Sequence, residues 1–189
     1  MNVRRAPQLR RLTERQLLEG LRDGLISLTR DGTLVPTIGG GTANTSPIFT
    51  LVPNVSGIAP SAANTKSDGT GTIATDIFKA FTAGTNGSFV AKARFSAVAT
   101  VAATSTGATV GRVFVSSKTS GATTGGTDTF ALGEVALPVT VADSSSAPTN
   151  VFEVPINFPI PAGWTILVTN HAAPQANTSW QTTVFGGDY

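Results

Sequence analysis

From Ile48 onward, apolar residues recur at every second position in short runs, and clusters of Gly, Asn, Asp, Ser and Thr separate the runs. The runs cover Ile48–Val52, Ile73–Phe81, Phe89–Ala103, Val110–Ser116, Thr129–Leu137, Asn150–Asn157, Trp164–Asn170 and Ser179–Phe185. Thr85-Asn86-Gly87-Ser88 is a hairpin signal leading into the longest of them. There Phe89, Ala91, Ala93, Phe95, Ala97 and Ala99 alternate with Lys92, Arg94 and Ser96, so one face is expected in a core and the other towards water. About eight strands with no second helix predict an all-β chain, an antiparallel β-sandwich or jelly roll. No fixed-period repeat is visible, which argues against propellers and solenoids.

The first residues follow a different period. Thr13 with Gln16 three positions later forms a capping-box start, and Leu17, Leu18, Leu21 and Leu25 recur at helical spacing. This predicts a short amphipathic helix over about residues 13–23. A helix below about 12–15 residues is marginal alone, so its leucine stripe needs a surface to lie on. Residues 36–47, rich in Gly, Thr, Asn and Pro, are expected to be a flexible linker. The organisation expected is therefore a basic amphipathic arm over residues 1–35, that linker, and a β-sandwich domain over residues 48–189.

Charge sharpens this division. Arg4, Arg5, Arg10, Arg11, Arg15, Arg22 and Arg30 stand against Glu14, Glu19, Asp23 and Asp31 in the arm, whereas the rest of the chain is nearly neutral. Only 13% of the 189 residues are charged, and none is Cys. Disorder driven by high net charge, disulfide scaffolds, thiol nucleophiles and Cys-type zinc sites are thereby excluded, and a single His excludes a multi-histidine metal site. The N-terminal segment is charged where a signal peptide needs an apolar core, and no run approaches a membrane span. No leader and no membrane contact are expected.

Little in the chain is arranged for chemistry. His171 ends an apolar run, but no motif sets a Ser or a carboxylate against it. Asp68-Gly69-Thr70-Gly71-Thr72 resembles part of a calcium loop or phosphate cradle and lacks the further acids, the Lys and the following helix that those sites need; a glycine-rich turn is favoured. Glu134, Glu153 and Asp188 are scattered, with no spacing that pairs two of them. Trp164 and Trp180 read as core residues rather than sugar platforms. The expectation is no enzyme, no catalytic residue, no metal and no cofactor. The arm carries the one signal above background. Acids lie among its arginines and no aromatic interleaves them, so nucleic acid is disfavoured. The leucine stripe favours docking to protein, through Arg4, Arg5, Arg10, Arg11, Arg15, Leu17, Leu18, Leu21 and Leu25.

Three stretches carry a resemblance: Phe49-Thr50-Leu51-Val52-Pro53, then Ala62-Ala63-Asn64-Thr65 with Asp68-Gly69-Thr70-Gly71-Thr72, then Phe81-Thr82-Ala83-Gly84-Thr85-Asn86-Gly87-Ser88. With Pro161-Ala162-Gly163-Trp164 and the ending Gly186-Gly187-Asp188-Tyr189, they resemble small β-sandwich virion proteins of tailed bacteriophages over roughly residues 47–189. The resemblance implies a structural component located in the virion, a capsid cement or decoration protein or a neck, tail or fibre part, whose partners are other virion proteins. Two alternatives stand beside it: a fibre-tip adhesin binding carbohydrate through the loops at 119–126 and 142–149, which hold no aromatic residue, and a shell-forming capsid protein with a basic arm. Sheet edges with so few charges are expected to need covering by a homo-oligomer. The resemblance makes that a trimer.

Overall fold

The computed structural model describes residues 26–28, 34–36, 50–121, 123–146 and 150–189. The chain divides into two compact units, Met1–Ile48 and Phe49–Tyr189. In the first, β1 (Ile26–Leu28) and β2 (Leu34–Pro36) pair antiparallel, with Ile26 opposite Pro36 and Leu28 opposite Leu34. The sequence pattern had placed no strand there. The helix expected over residues 13–23 and the linker expected over residues 36–47 lie outside the described residues, except for Pro36. No helix occurs among the described residues.

The second unit is built from β3 (Val52–Ile58), β4 (Gly71–Thr72), β5 (Phe78–Thr82), β6 (Ser88–Ala99), β7 (Thr104–Ser105), β8 (Thr109–Ser116), β9 (Thr123–Thr124), β10 (Thr129–Leu137), β11 (Val141–Ala142), β12 (Val151–Ile160), β13 (Thr165–Asn170) and β14 (Thr178–Asp188). Eight of these make two four-stranded sheets, one ordered β10-β8-β13-β5 and the other β12-β6-β14-β3, with antiparallel neighbours throughout. Both sheets bury side chains in one core: Phe81, Val113, Leu137, Ile166 and Val168 from the first, Val90, Ala93, Phe95, Trp180 and Val184 from the second. Small residues opposite large ones let the layers interdigitate. A Cβ on Gly111 of β8 would stand 2.7 Å from the Phe95 ring, and one on Gly133 of β10 would stand 2.8 Å from Val154.

Four strands differ from the runs read in the sequence. β3 begins at Val52, where the expected run ended, and β12 continues past Asn157 to Ile160; Pro53, Pro155 and Pro159 stand inside them because both are edge strands of the same sheet, where a missing N–H leaves no ladder bond unmade. In β6 the inward side chains are Ser88 and Val90, then Ala93, Phe95 and Ala97, so Phe89 and Ala91 are not core residues as expected. The register with β14 shifts between Phe185 and Gly186, and that bulge at Ala91 moves the alternation by one residue. The run from Ile73 to Phe81 splits: Thr72 carbonyl oxygen accepts the N–H groups of Thr75, Asp76 and Ile77 in a tight turn, and the strand begins only at Phe78. Ile73 and Ile77 instead pack with Phe114 and Leu167 in a second small cluster. Since Phe114 and Leu167 alternate with core residues of β8 and β13, this cluster lies on the outer face of the first sheet, and the connection between β3 and β5 covers that face.

The edges are guarded without high charge, which corrects the reason given for oligomerisation. Pro53 stands in β3, Pro155 and Pro159 in β12, Lys79 in β5, and bulges interrupt β10 between Ala131 and Gly133 and β12 between Pro155 and Phe158. Between the edge strands β3 and β5, Ser56 Oγ donates to the Ala80 carbonyl at 2.7 Å and Asn54 Nδ2 to the Thr82 carbonyl at 3.3 Å. Side chains of one sheet thereby satisfy unpaired backbone of the other.

Candidate docking surfaces

The arm residues Arg4, Arg5, Arg10, Arg11, Arg15, Leu17, Leu18, Leu21 and Leu25 lie outside the described residues. The other residues singled out in the sequence are placed, and each is engaged with its own neighbours. His171 Nδ1 stands 3.4 Å from both terminal nitrogens of Arg112, a side chain that can only donate, so the imidazole nitrogen is the acceptor. Arg112 also donates through Nε to Glu134 at 3.1 Å and through Nη1 to the Asn64 carbonyl at 3.3 Å. The arginine thus ties β8, β10 and the β3–β5 connection together on the outer face of the first sheet. A shallow cavity of about 120 Å³ opens beside it, lined by Ser67, Phe114, Ala131 and Gly133, with no nucleophile set against a base.

Asp68 accepts the Thr70 N–H at 2.9 Å within its own turn, which holds its carboxyl below the ordinary aspartate range, and Gly69 takes a φ of +77°. A Cβ on Gly69 would meet Thr129 and Phe114, so the glycine-rich segment is a turn pressed onto the sheet. Glu153 sits on the outer face of the other sheet, bonded to Lys92 at 2.8 Å and Arg94 at 2.7 Å, both of which also stack near the Phe185 ring. Glu134 and Glu153 therefore belong to different sheets, and the structure brings no two of the expected acids together. Trp180 is buried in the core, edge-on to Phe152 with ring centres 5.7 Å apart, whereas Trp164 is only half-buried. Within the 119–126 loop, β9 pairs with β4, and the Thr124 hydroxyl donates to the Gly71 carbonyl at 3.1 Å.

Every acid of the second unit has a partner inside it. Besides those above, Asp76 accepts the Thr72 N–H, Asp128 the Gly125 N–H and Thr129 hydroxyl, Asp143 the Ser145 N–H and hydroxyl, and Asp188 the groups of Asn54, Ser88 and Gly84. The negative charge of this unit is held within its own architecture. Large apolar side chains also stand out into water: Leu51, Val52, Val55, Val101, Phe130, Val139, Val141, Val151 and Phe158 are all exposed. Composition gave no sign of this, because one Val in a β-rich run looks like any other until the register is known.

No family model and no curated protein matches the chain. Among solved structures, a chain of infectious bursal disease virus, Gx strain, is similar at 14% identity, over 81% of this chain and 36% of that one, with a TM-score of 0.27. One of the Gt strain is similar at 11% identity, over 85% of this chain and 39% of that one, with a TM-score of 0.26. This chain spans less than two fifths of the length of either.

Asp188 closes the end of the second unit where the chain enters and leaves. Ser88 Oγ and Asn54 Nδ2 donate to its carboxylate, the latter at 3.0 Å, and these bonds to the charged form hold its carboxyl below the ordinary aspartate range. A lowered folded-state value stabilises the fold above the unfolded value and loses that contribution as pH falls through the folded one. Asp188→Asn is accordingly expected to be less stable than the parent chain at neutral pH, with the gap narrowing on acidification below about pH 4. Urea midpoints of both chains measured from pH 7 to pH 3 check this; a gap that stays constant or widens with acid contradicts it.

Proposed function

We propose that the chain is a structural component of a virion, a capsid cement or decoration protein whose N-terminal arm docks to neighbouring subunits, with no catalytic step. The observation that carries the reading is the second unit's division of labour: its acids are all engaged internally, while nine large apolar side chains among the described residues face water. Large apolar side chains left in water gain by burial against a partner. The strand order adds support. Counting only the eight long strands in chain order, the sheets run 1-8-3-6 and 2-7-4-5, the double Greek key of a jelly roll, an architecture that viral capsid domains use along with lectins and cupins. The phage-like turn pattern of residues 47–189 points to the same class, and fold alone does not. The arm, with its arginines and leucine stripe, is the proposed attachment, and its β1–β2 ribbon of two three-residue strands is marginal by itself and gains from a surface to lie on.

Deletion of residues 1–46 tests the docking role. The truncated chain is expected to keep its far-ultraviolet strand signature and to be lost from particles, as read by mass spectrometry of purified virions. Normal incorporation refutes the arm as the attachment, and absence of the full-length chain from virions refutes the reading altogether. The strand order also favours a second reading, a shell-forming capsid protein. Purified full-length chain that closes into empty particles without any other protein supports that alternative over a cement role.

A further inference from the structure

We propose that the β7–β11 ribbon is the surface through which copies of this chain meet one another about a symmetry axis. β7 and β11 pair antiparallel, Val141 opposite Ser105 and Ala142 opposite Thr104. The Thr106 N–H donates to the Thr140 carbonyl at 2.8 Å, the Thr140 N–H to the Thr106 hydroxyl at 3.0 Å, and the Ser144 N–H to the Val101 carbonyl at 3.2 Å. The connections before and after the ribbon are thus stitched into one rigid piece. Ser105 faces water and Ala142 the core as in an ordinary half-buried strand, but around them the valines and threonines are placed the other way round. Thr106, Thr140 and Ala142 point inward and are buried, while Val139 and Val141 are 62% and 60% exposed, with Val101 at 42% beside them. An antiparallel ribbon normally turns its apolar side to the core and its hydroxyls to water. Polar residues turned inward and valines outward mean that the outer side is built to be covered.

The charge pattern selects the occupant. Residues 100–108 and 138–146 contain one charged side chain, Asp143, and its carboxylate is held by the Ser145 N–H at 2.7 Å and the Ala103 N–H at 3.2 Å. A rotation axis brings identical side chains face to face, so any free charge near it meets its own sign. A surface whose only charge is already bonded, and whose other exposed groups are neutral, with Val101, Val139 and Val141 the largest, satisfies that condition. A partner recognised by charge would find nothing to pair with. The guarded strand edges of the two large sheets leave this ribbon, with an unpaired edge on each side, as the contact best suited to self-association.

Self-association is part of the virion reading, and the experiment separates the two. Full-length chain is examined by sedimentation velocity across micromolar concentrations, with Val139→Lys/Val141→Lys and Val139→Glu/Val141→Glu as variants. Both positions are exposed, and unchanged fluorescence of the buried Trp180 reports that each variant is folded. The parent chain is expected to associate, each charged variant to weaken association by about tenfold or more, and an equal mixture of Lys and Glu variants to recover it. Recovery requires that these positions meet their own counterparts. A parent chain that stays monomeric overturns the proposal, as does association that either variant leaves intact, or a mixture that fails to recover. Variants that fail to associate but still enter virions at the parent level leave the cement role standing without the ribbon.

Discussion

Trp180→Ala is expected to lower the unfolding free energy by about 3–5 kcal/mol, the largest loss from any single truncation in the chain. Trp180 is the bulkiest of the fully buried side chains, it lies on β14 between β6 and β3, and it meets Phe152 edge-on. Its removal leaves a cavity between two hydrogen-bonded sheets, which cannot collapse without breaking ladder bonds. Its indole N–H has no partner among the described residues, so Trp180→Phe sacrifices no hydrogen bond and is expected to cost clearly less. Urea unfolding followed by far-ultraviolet circular dichroism measures both. A Trp180→Ala loss below about 1 kcal/mol, the level of an ordinary surface change, contradicts the placement of this residue at the centre of the core.

The opposite change is expected to be nearly as damaging. Gly111→Val adds bulk where a Cβ alone stands 2.7 Å from one Phe95 ring carbon, 2.9 Å from another and 3.0 Å from Leu137. The ring is fully buried and has nowhere to turn, so the sheets are forced apart, at a cost of about 1–3 kcal/mol or more. Because the conflict is with one side chain, Phe95→Leu in the same chain is expected to restore part of the loss, although Phe95→Leu alone destabilises. A double-mutant cycle on urea midpoints reads that coupling. Strict additivity of the two changes rules out the packing of Phe95 over Gly111.

How much of this was legible in the sequence differs from strand to strand. Thr129–Leu137 is a strand over its whole expected length, and the runs at Val110, Trp164 and Ser179 differ by no more than a few residues from β8, β13 and β14. These are rich in β-branched and apolar residues and lie between turn clusters. The runs that misled are those whose outcome depends on neighbours. The runs Ile48–Val52 and Asn150–Asn157 missed the extents of β3 and β12, whose prolines Pro53, Pro155 and Pro159 are tolerated because both are edge strands, and position in the sheet is not written locally. Ala91 looked like a core alanine until pairing with β14 introduced a bulge.

The same distinction holds for function. The expectation of no catalysis rested on residue types and their spacing alone, which are local properties. The tie from Arg112 to Glu134, His171 and Asn64 joins residues far apart in the chain, and no local pattern announces it. The outward valines of β11 escaped notice for a related reason: Val139-Thr140-Val141-Ala142 has period two in either orientation, and a one-residue change of register exchanges its faces.

By itself, then, the sequence determined the class of structure, because period-two hydrophobicity and turn residues are local properties that act before any long-range contact forms. It also determined that charge would be scarce in the second unit, since composition does not depend on folding. Only the tertiary structure decided which strands are edges, which side of a ribbon faces water and which acid meets which base. Each of these is a relation between segments distant in the chain, settled by packing two sheets around one core.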